Sequence, residues 1–193
     1  MTKKEQLKKL NNQILKCHRC TLKLGCSNIV FGAGNPEAQI IFIGEAPGKK
    51  EDEIGVPFVG SSGRILDKML ASIKIKREEF YLTNICKCRP PENRDPLPEE
   101  VKECWPYLKK QIAIIQPKII VTLGKYALNS FLPTAKISEV HGKIINVEIK
   151  KIGKIKLFPL HHPAAARINR KTKALFEEDF QKIPNLLKNK KEQ

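Results

Sequence analysis

IIFIGEAPGKKED, Ile40 to Asp52, joins four consecutive apolar residues to a glycine-framed loop. An apolar, β-branched run closed by a glycine reads as a buried strand whose carboxyl end opens into that loop. In open α/β sheets, ligand sites gather in the crevice beyond the carboxyl ends of the strands. Gly44, Glu45, Ala46, Pro47 and Gly48 therefore stand on the rim of an expected crevice. Pro47 stiffens this loop, and Gly48 lets a ligand or a second backbone approach closely.

The flanking segments fit the same plan. Upstream, Leu7, Leu10 and Ile14 fall at helical spacing, and 27–38 reads as a loop with a short extended piece. Downstream, 55–70 begins as a glycine-bracketed loop carrying Phe58. Ser61 or Ser62 then caps a helix with Ile65, Leu66, Met69 and Leu70 on its apolar face. A second strand is expected at 80–84, ending at Asn84. After a proline-rich segment, Pro98, Glu99 and Glu100 start a helix that runs to about Ile115. A third strand at 118–123 ends at Gly124 and is followed by a helix at 125–131. Segments 143–149 and 154–160 alternate as a late pair around Gly153, and a helix at 171–187 closes the chain before a frayed tail at 188–193. Strand and helix alternating at this rhythm imply one α/β domain over 1–193, with a parallel sheet covered on both faces.

Composition narrows the function. Hydrophobic residues make up 41% of the 193, enough for a sizeable core. Lys and Arg number 36 against 20 acids, a net charge of +16. A thermophilic surface raises both signs together. This excess is one-sided and points to a polyanionic partner. No apolar run reaches membrane-span length, and the polar N-terminus has no signal-peptide core, so a cytoplasmic location is expected. Six cysteines in a reducing compartment favour metal or cluster ligation over disulfides. Cys17 and Cys20 form a CxxC. A second pair comes from Cys86, Cys88 and Cys104, with Cys26 as a spare. Thiolates from such distant segments suit either zinc or a 4Fe–4S cluster, and spacing does not choose between them. Cys86 and Cys88 face the same side of an extended segment, so geometry leaves both open.

Five pieces taken together, CHRCTL, GEAPGKKED, GVPFVGSSGRILDKML, YLTNICKCRPPENRDPLPEEVKEC and HHPAAAR, resemble the family 4 uracil-DNA glycosylases, the iron–sulfur branch of their superfamily. The resemblance spans 17–167. It implies a three-layer α/β/α sandwich around a four-stranded parallel sheet, with uracil-containing DNA as substrate for a monomeric enzyme of base-excision repair. It also implies a 4Fe–4S cluster on Cys17, Cys20, Cys88 and Cys104, within a cluster-binding region formed by 1–30 and 86–104. The family has an ordinary apolar residue where Cys86 stands, which decides between the two.

The resemblance also assigns the site. A glycosylase draws its nucleotide out of the stack into a pocket that reads the base edge. Phe58 matches the family's stacking aromatic. Asn84 matches the base reader: its amide donates to uracil O4 and accepts from N3–H, provided that a neighbouring bond prevents the amide from flipping. His162 matches the donor to uracil O2, which stabilises charge on the departing base; at His161 the family usually has an aromatic. Glu45 either orients water or excludes the thymine methyl. Ala46 stands where the family 1 branch has a water-handling Asp. Ser61 and Ser62 at a helix start bind a phosphate. Ala166 replaces the apolar wedge of the related branch, so Arg167 takes over or the wedge lies elsewhere. A non-catalytic iron–sulfur nucleic-acid-binding protein is the alternative. A related branch that cross-links its product needs a histidine after Cys88, and RPPENRDPLPEE has none.

Overall fold

The computed structural model describes residues 1–188. Of the expected frayed tail, 189–193 lies outside the described residues. α1 (Lys3–Ile14) begins at Thr2, whose hydroxyl accepts from the Glu5 N–H while the Glu5 carboxylate accepts from the Thr2 N–H. That reciprocal cap satisfies two orphan donors. α2 (Leu22–Gly25) and β1 (Ala33–Gly34) lead to β2 (Ile40–Gly44), then α3 (Lys49–Ile54) and α4 (Ser61–Ser72). β3 (Tyr81–Asn84), α5 (Pro98–Ile115), β4 (Ile119–Leu123), α6 (Lys125–Asn129) and α7 (Ile137–Val140) follow. The hairpin β5 (Ile145–Ile149) and β6 (Gly153–Leu160) precedes α8 (Pro163–Ile168), α9 (Arg170–Phe180) and α10 (Ile183–Lys188).

The sheet order is β1-β3-β2-β4-β6-β5. β3, β2, β4 and β6 run parallel, as expected, but they form the centre of a six-stranded mixed sheet. β1 and β5 add one antiparallel strand at each edge. β1 has only two residues, which leaves little edge there for further pairing. Alternate side chains of the central strands feed two cores. Ile41, Ile43, Ile120 and Leu157 pack with α1 and α5 through Leu10, Ile14, Leu108 and Ile112. Phe42, Leu82, Val121 and Phe158 pack on the opposite face with Leu66, Met69, Phe176 and Phe180 of α4 and α9. The result is the expected three-layer sandwich.

Four short helices, α2, α3, α7 and α8, were not anticipated. α3 grows out of KKED, a segment with no apolar periodicity. α8 starts at Pro163, whose fixed φ and missing N–H suit the first helical position. The closing helix is interrupted between α9 and α10. No helix among the described residues is long and apolar enough to cross a membrane.

α3 also fastens the N-terminal segment. Asp52 is buried, and its carboxylate accepts from the backbone N–H of Ser27 (3.0 and 3.2 Å) and of Asn28 (3.3 Å). The Asn28 side chain donates to the Asp52 carbonyl at 2.7 Å. Hydrogen bonds to a buried charge contribute roughly 1.5–3 kcal/mol, so Asp52→Ala is expected to destabilise the fold by about 2 kcal/mol, or about 4–8 °C in Tm. An unchanged melting curve would show that this fastening is dispensable.

Candidate active site

A cavity of about 350 Å³ opens beyond the carboxyl ends of β2 and β3. Gly44 and Asn84, the last residues of those strands, are register partners. The connection leaving β2 runs to α4 on one face, and the connection leaving β3 runs to α5 on the other. The loops separate there, at a topological switch point. Glu45, Ala46, Phe58, Ser61, Ser62, Asn84 and His162 all line the cavity, so separate segments converge on it as the sequence implied. Arg167 does not line it. That residue belongs to the last turn of α8, where it is exposed.

Phe58 is buried and has φ 56°, left-handed geometry that costs a bulky residue on the order of 1 kcal/mol or more. Its loop is clamped from two sides. The Arg77 guanidinium donates to the carbonyls of Pro57 (2.5 Å) and Phe58 (2.7 Å), and it also pairs with Asp67 of α4 at 2.9 Å. The Glu51 carboxylate accepts from the N–H groups of Val59 (2.9 Å) and Gly60 (2.7 Å). The ring is thereby turned over Gly44. A Cβ on Gly44 would lie 2.7 Å from the Phe58 ring and 2.5 Å from the Asn84 amide oxygen.

Asn84 is 3% exposed. Its backbone carbonyl accepts from Lys87 Nζ at 2.7 Å. Among the described residues its side-chain amide makes no hydrogen bond, so the expected bond holding that amide is absent, and the backbone is what is held. The amide lines the cavity, where a ligand or water can meet it.

His162 is the N-cap of α8, and its Nδ1 accepts from the Ala164 N–H at 3.2 Å. Burial pushes its pKa down to about 4. The ring is therefore neutral at pH 7, with its proton on Nε2 and that donor left for the cavity. Gly124, φ 87°, gives the ring room: a Cβ there would lie 2.9 Å from His162 Cβ. His161 belongs elsewhere. It packs on His141 (ring centroids 4.7 Å apart), whose Nδ1 sits 2.6 Å from an Asp179 carboxylate oxygen.

The Glu45 carboxyl is half-buried, and its pKa is raised to about 7. Burial is the largest cause; Asp95 adds to the rise, and Lys125 opposes it. Ala166 is buried against the α4–α9 core, which removes it as a wedge, while its neighbour Ile168 is 81% exposed. Sequence reasoning missed Glu51, Arg77 and Lys87. Each is spent on backbone carbonyls or N–H groups, and no spacing signals that.

Cys17, Cys20, Cys88 and Cys104 line one narrow cavity with Ile14, Leu22, Ile29 and Lys87. Cys104 Sγ accepts from the Lys87 N–H at 3.3 Å. The Cys86 thiol, the Lys87 cation and this N–H lower the Cys104 pKa to about 7, toward the thiolate form that ligates. Cys86 is buried outside the lining, in contact with Cys104. Cys26 Sγ lies 2.9 Å from Cys88 Sγ, longer than a disulfide bond. Among the described residues no three His, Cys, Asp or Glu side chains converge as a ready single-ion site. Four thiols around an apolar hollow, with an N–H and cations beside them, fit a larger thiolate-bound group.

A family model described as the uracil DNA glycosylase superfamily matches residues 31–187. The chain is 45% identical over 187 residues to a type-4 uracil-DNA glycosylase of Archaeoglobus fulgidus, covering 94% of each chain. It is 42% identical over 188 residues to one of Sulfurisphaera tokodaii, covering 94% of this chain and 85% of that one. A type-4 uracil-DNA glycosylase of Thermotoga maritima is 39% identical over 189 residues, covering 97% of both.

The His162 geometry makes a direct prediction. Nitrogen-detected NMR should show a neutral ring protonated on Nε2 from pH 8 down to pH 5, titrating near 4. A midpoint near the ordinary histidine value of about 6.5 would contradict the buried, capped arrangement.

Proposed function

The chain belongs to the uracil-DNA glycosylase superfamily, in its type-4 branch, and from that premise we propose that it hydrolyses the N-glycosidic bond of deoxyuridine in DNA, releasing uracil and leaving an abasic site. The observation that carries this reading is the Asn84 amide, free of hydrogen bonds among the described residues and lining one cavity with the ring of Phe58 and a neutral imidazole donor.

The chemistry follows from those groups. An extruded uracil stacks on Phe58. The Asn84 amide donates to O4 and accepts from N3–H; cytosine presents the reverse pattern, which the amide in this orientation does not match. As the bond from the sugar to the base nitrogen breaks, electrons flow into the uracil ring and negative charge gathers on O2. The Nε2–H of His162 meets that oxygen. A neutral donor fixed in a desolvated site stabilises the leaving group without paying for its own reorganisation. Water then adds to the sugar cation. Glu45 and Glu51 are the cavity's carboxylates, and Glu51 is occupied by two backbone N–H groups. Glu45 is left to orient the water, with the thymine methyl excluded by the same side chain. Ser61 and Ser62 at the start of α4, with Arg167, contact DNA phosphates, and affinity falls with salt. All of these groups come from one chain, so a monomer suffices.

Cys17, Cys20, Cys88 and Cys104 would hold a 4Fe–4S cluster. Its contribution there is structural: it ties 1–30 to 86–104, the segment that continues from Asn84.

Purified protein incubated with uracil-containing single- and double-stranded oligonucleotides is expected to release free uracil without added metal. Asn84→Ala should lower the rate at least about 100-fold while salt-sensitive DNA binding stays within about twofold. No uracil release from either substrate would sink the enzyme reading and leave a non-catalytic DNA-binding protein. The cluster has its own test. A brown protein absorbing near ~400 nm supports it. Colourless protein with stoichiometric zinc refutes it.

A further inference from the structure

Lys87 is 1% exposed and stands between Cys86 and Cys88, away from the base pocket. Burial lowers its pKa to about 7, so the charged form is expensive unless every donor is used. Here all three are. Nζ donates to the Asn84 carbonyl at 2.7 Å, to Gln111 Oε1 at 2.6 Å and to the Thr83 hydroxyl at 2.5 Å. The knot extends further: Gln111 Nε2 and the Thr83 hydroxyl both donate to the Phe31 carbonyl, each at 2.8 Å. The main chain of the same residue faces the other way. Its N–H donates to Cys104 Sγ at 3.3 Å, and its carbonyl accepts from the Val30 N–H at 2.7 Å.

One residue therefore holds the thiol shell by its backbone and the end of β3 by its side chain. The Asn84 amide has no hydrogen bond of its own among the described residues, so its placement depends on where the Asn84 backbone stands. A carbonyl held by a buried, fully bonded amine keeps that strand end from shifting. We propose that Lys87 is a positioning residue for Asn84, holding the strand end from which the base-reading amide reaches the cavity and linking its placement to the Cys88–Cys104 shell. This rests on the glycosylase reading of Asn84.

The test uses Lys87→Met, close in shape and without donors, and the milder Thr83→Val, which removes one acceptor. Each is measured for single-turnover uracil release, inhibition by free uracil, binding to uracil-free duplex, far-UV circular dichroism and absorbance near ~400 nm per protein. Lys87→Met is expected to weaken both release and free-uracil inhibition by about tenfold or more, and Thr83→Val by about threefold. Duplex binding should stay within about twofold, with dichroism and absorbance unchanged. Uracil inhibition is the discriminating reading, because a merely structural role would not weaken base affinity while sparing duplex binding. Wild-type inhibition in folded Lys87→Met overturns the proposal. So does a loss that tracks loss of dichroism or absorbance. If Lys87→Met does not fold, unchanged inhibition in Thr83→Val overturns it. A wild-type protein that releases no uracil would overturn the glycosylase reading itself.

Discussion

The site depends on a missing methyl group. Gly44 ends the central strand where the Phe58 ring and the Asn84 amide meet, and any Cβ there would drive into both. The ring reaches that place only because Phe58 takes left-handed backbone geometry, which its neighbours must enforce. Arg77 pulls on two carbonyls, Glu51 on two N–H groups, and Gly63 lets its helix turn lie against the Phe58 carbonyl. Parallel pairing of Gly44 with Asn84 then sets the amide beneath the ring. Stacking and reading are thus fixed by strand register and one clamped loop, before any ligand enters.

The clamps share one physical device. Charged side chains are buried, or partly so, and used up on backbone groups of distant segments. Glu51 holds the Phe58 loop, and Asp52 beside it holds the segment after Cys26. Glu100 accepts from Arg94 at 2.9 and 2.6 Å and from the Leu97 N–H at 2.8 Å, fixing the proline-rich segment on the cavity's rim. Arg94 holds the Glu100 carboxyl below its usual range. A charge in such a position is costly unless fully bonded, and once bonded it admits few alternative geometries. Loops built this way hold catalytic groups within the narrow tolerances that catalysis requires.

The same device explains what the sequence concealed. Ile40 to Gly44, Lys118 to Leu123 and the alternation around Gly153 were readable because apolar periodicity reports burial directly. Phe58, Asn84, His162 and the four thiols were readable as motifs. KKED shows no apolar periodicity, yet it buries Glu51 and Asp52. Lys87 looked like one more cation in a basic chain. Periodicity carries no information about a buried charge or its partners: Ser27, bonded to Asp52, lies 25 residues away, and Gln111, bonded to Lys87, lies 24 residues away. HHPAAAR read as a loop, although Pro163 and the Nδ1 of His162 begin a helix there. That helix turned out to matter for chemistry, because it consumes Nδ1 and so assigns the proton to Nε2.

The proton assignment bears on how the reaction divides its work. The departing uracil carries developing negative charge, and a full carboxylate in the same desolvated cavity would oppose it. The protein limits that opposition. Glu51 is spent on backbone donors, Ala46 brings no acid, and burial with Asp95 nearby raises Glu45 to about 7, so its charge is only partial at neutral pH. His162 in turn is kept neutral, so in the proposed reaction it would meet the leaving base through a fixed N–H and not through a cation that burial would penalise. Lys49 and Lys50 also line the cavity and are exposed, and Arg94 on the same lining is paired with Glu100. A cavity with little charge beside the base favours expulsion of an anionic base over activation of water. Cleavage of the glycosidic bond is therefore the step that this geometry is shaped to assist.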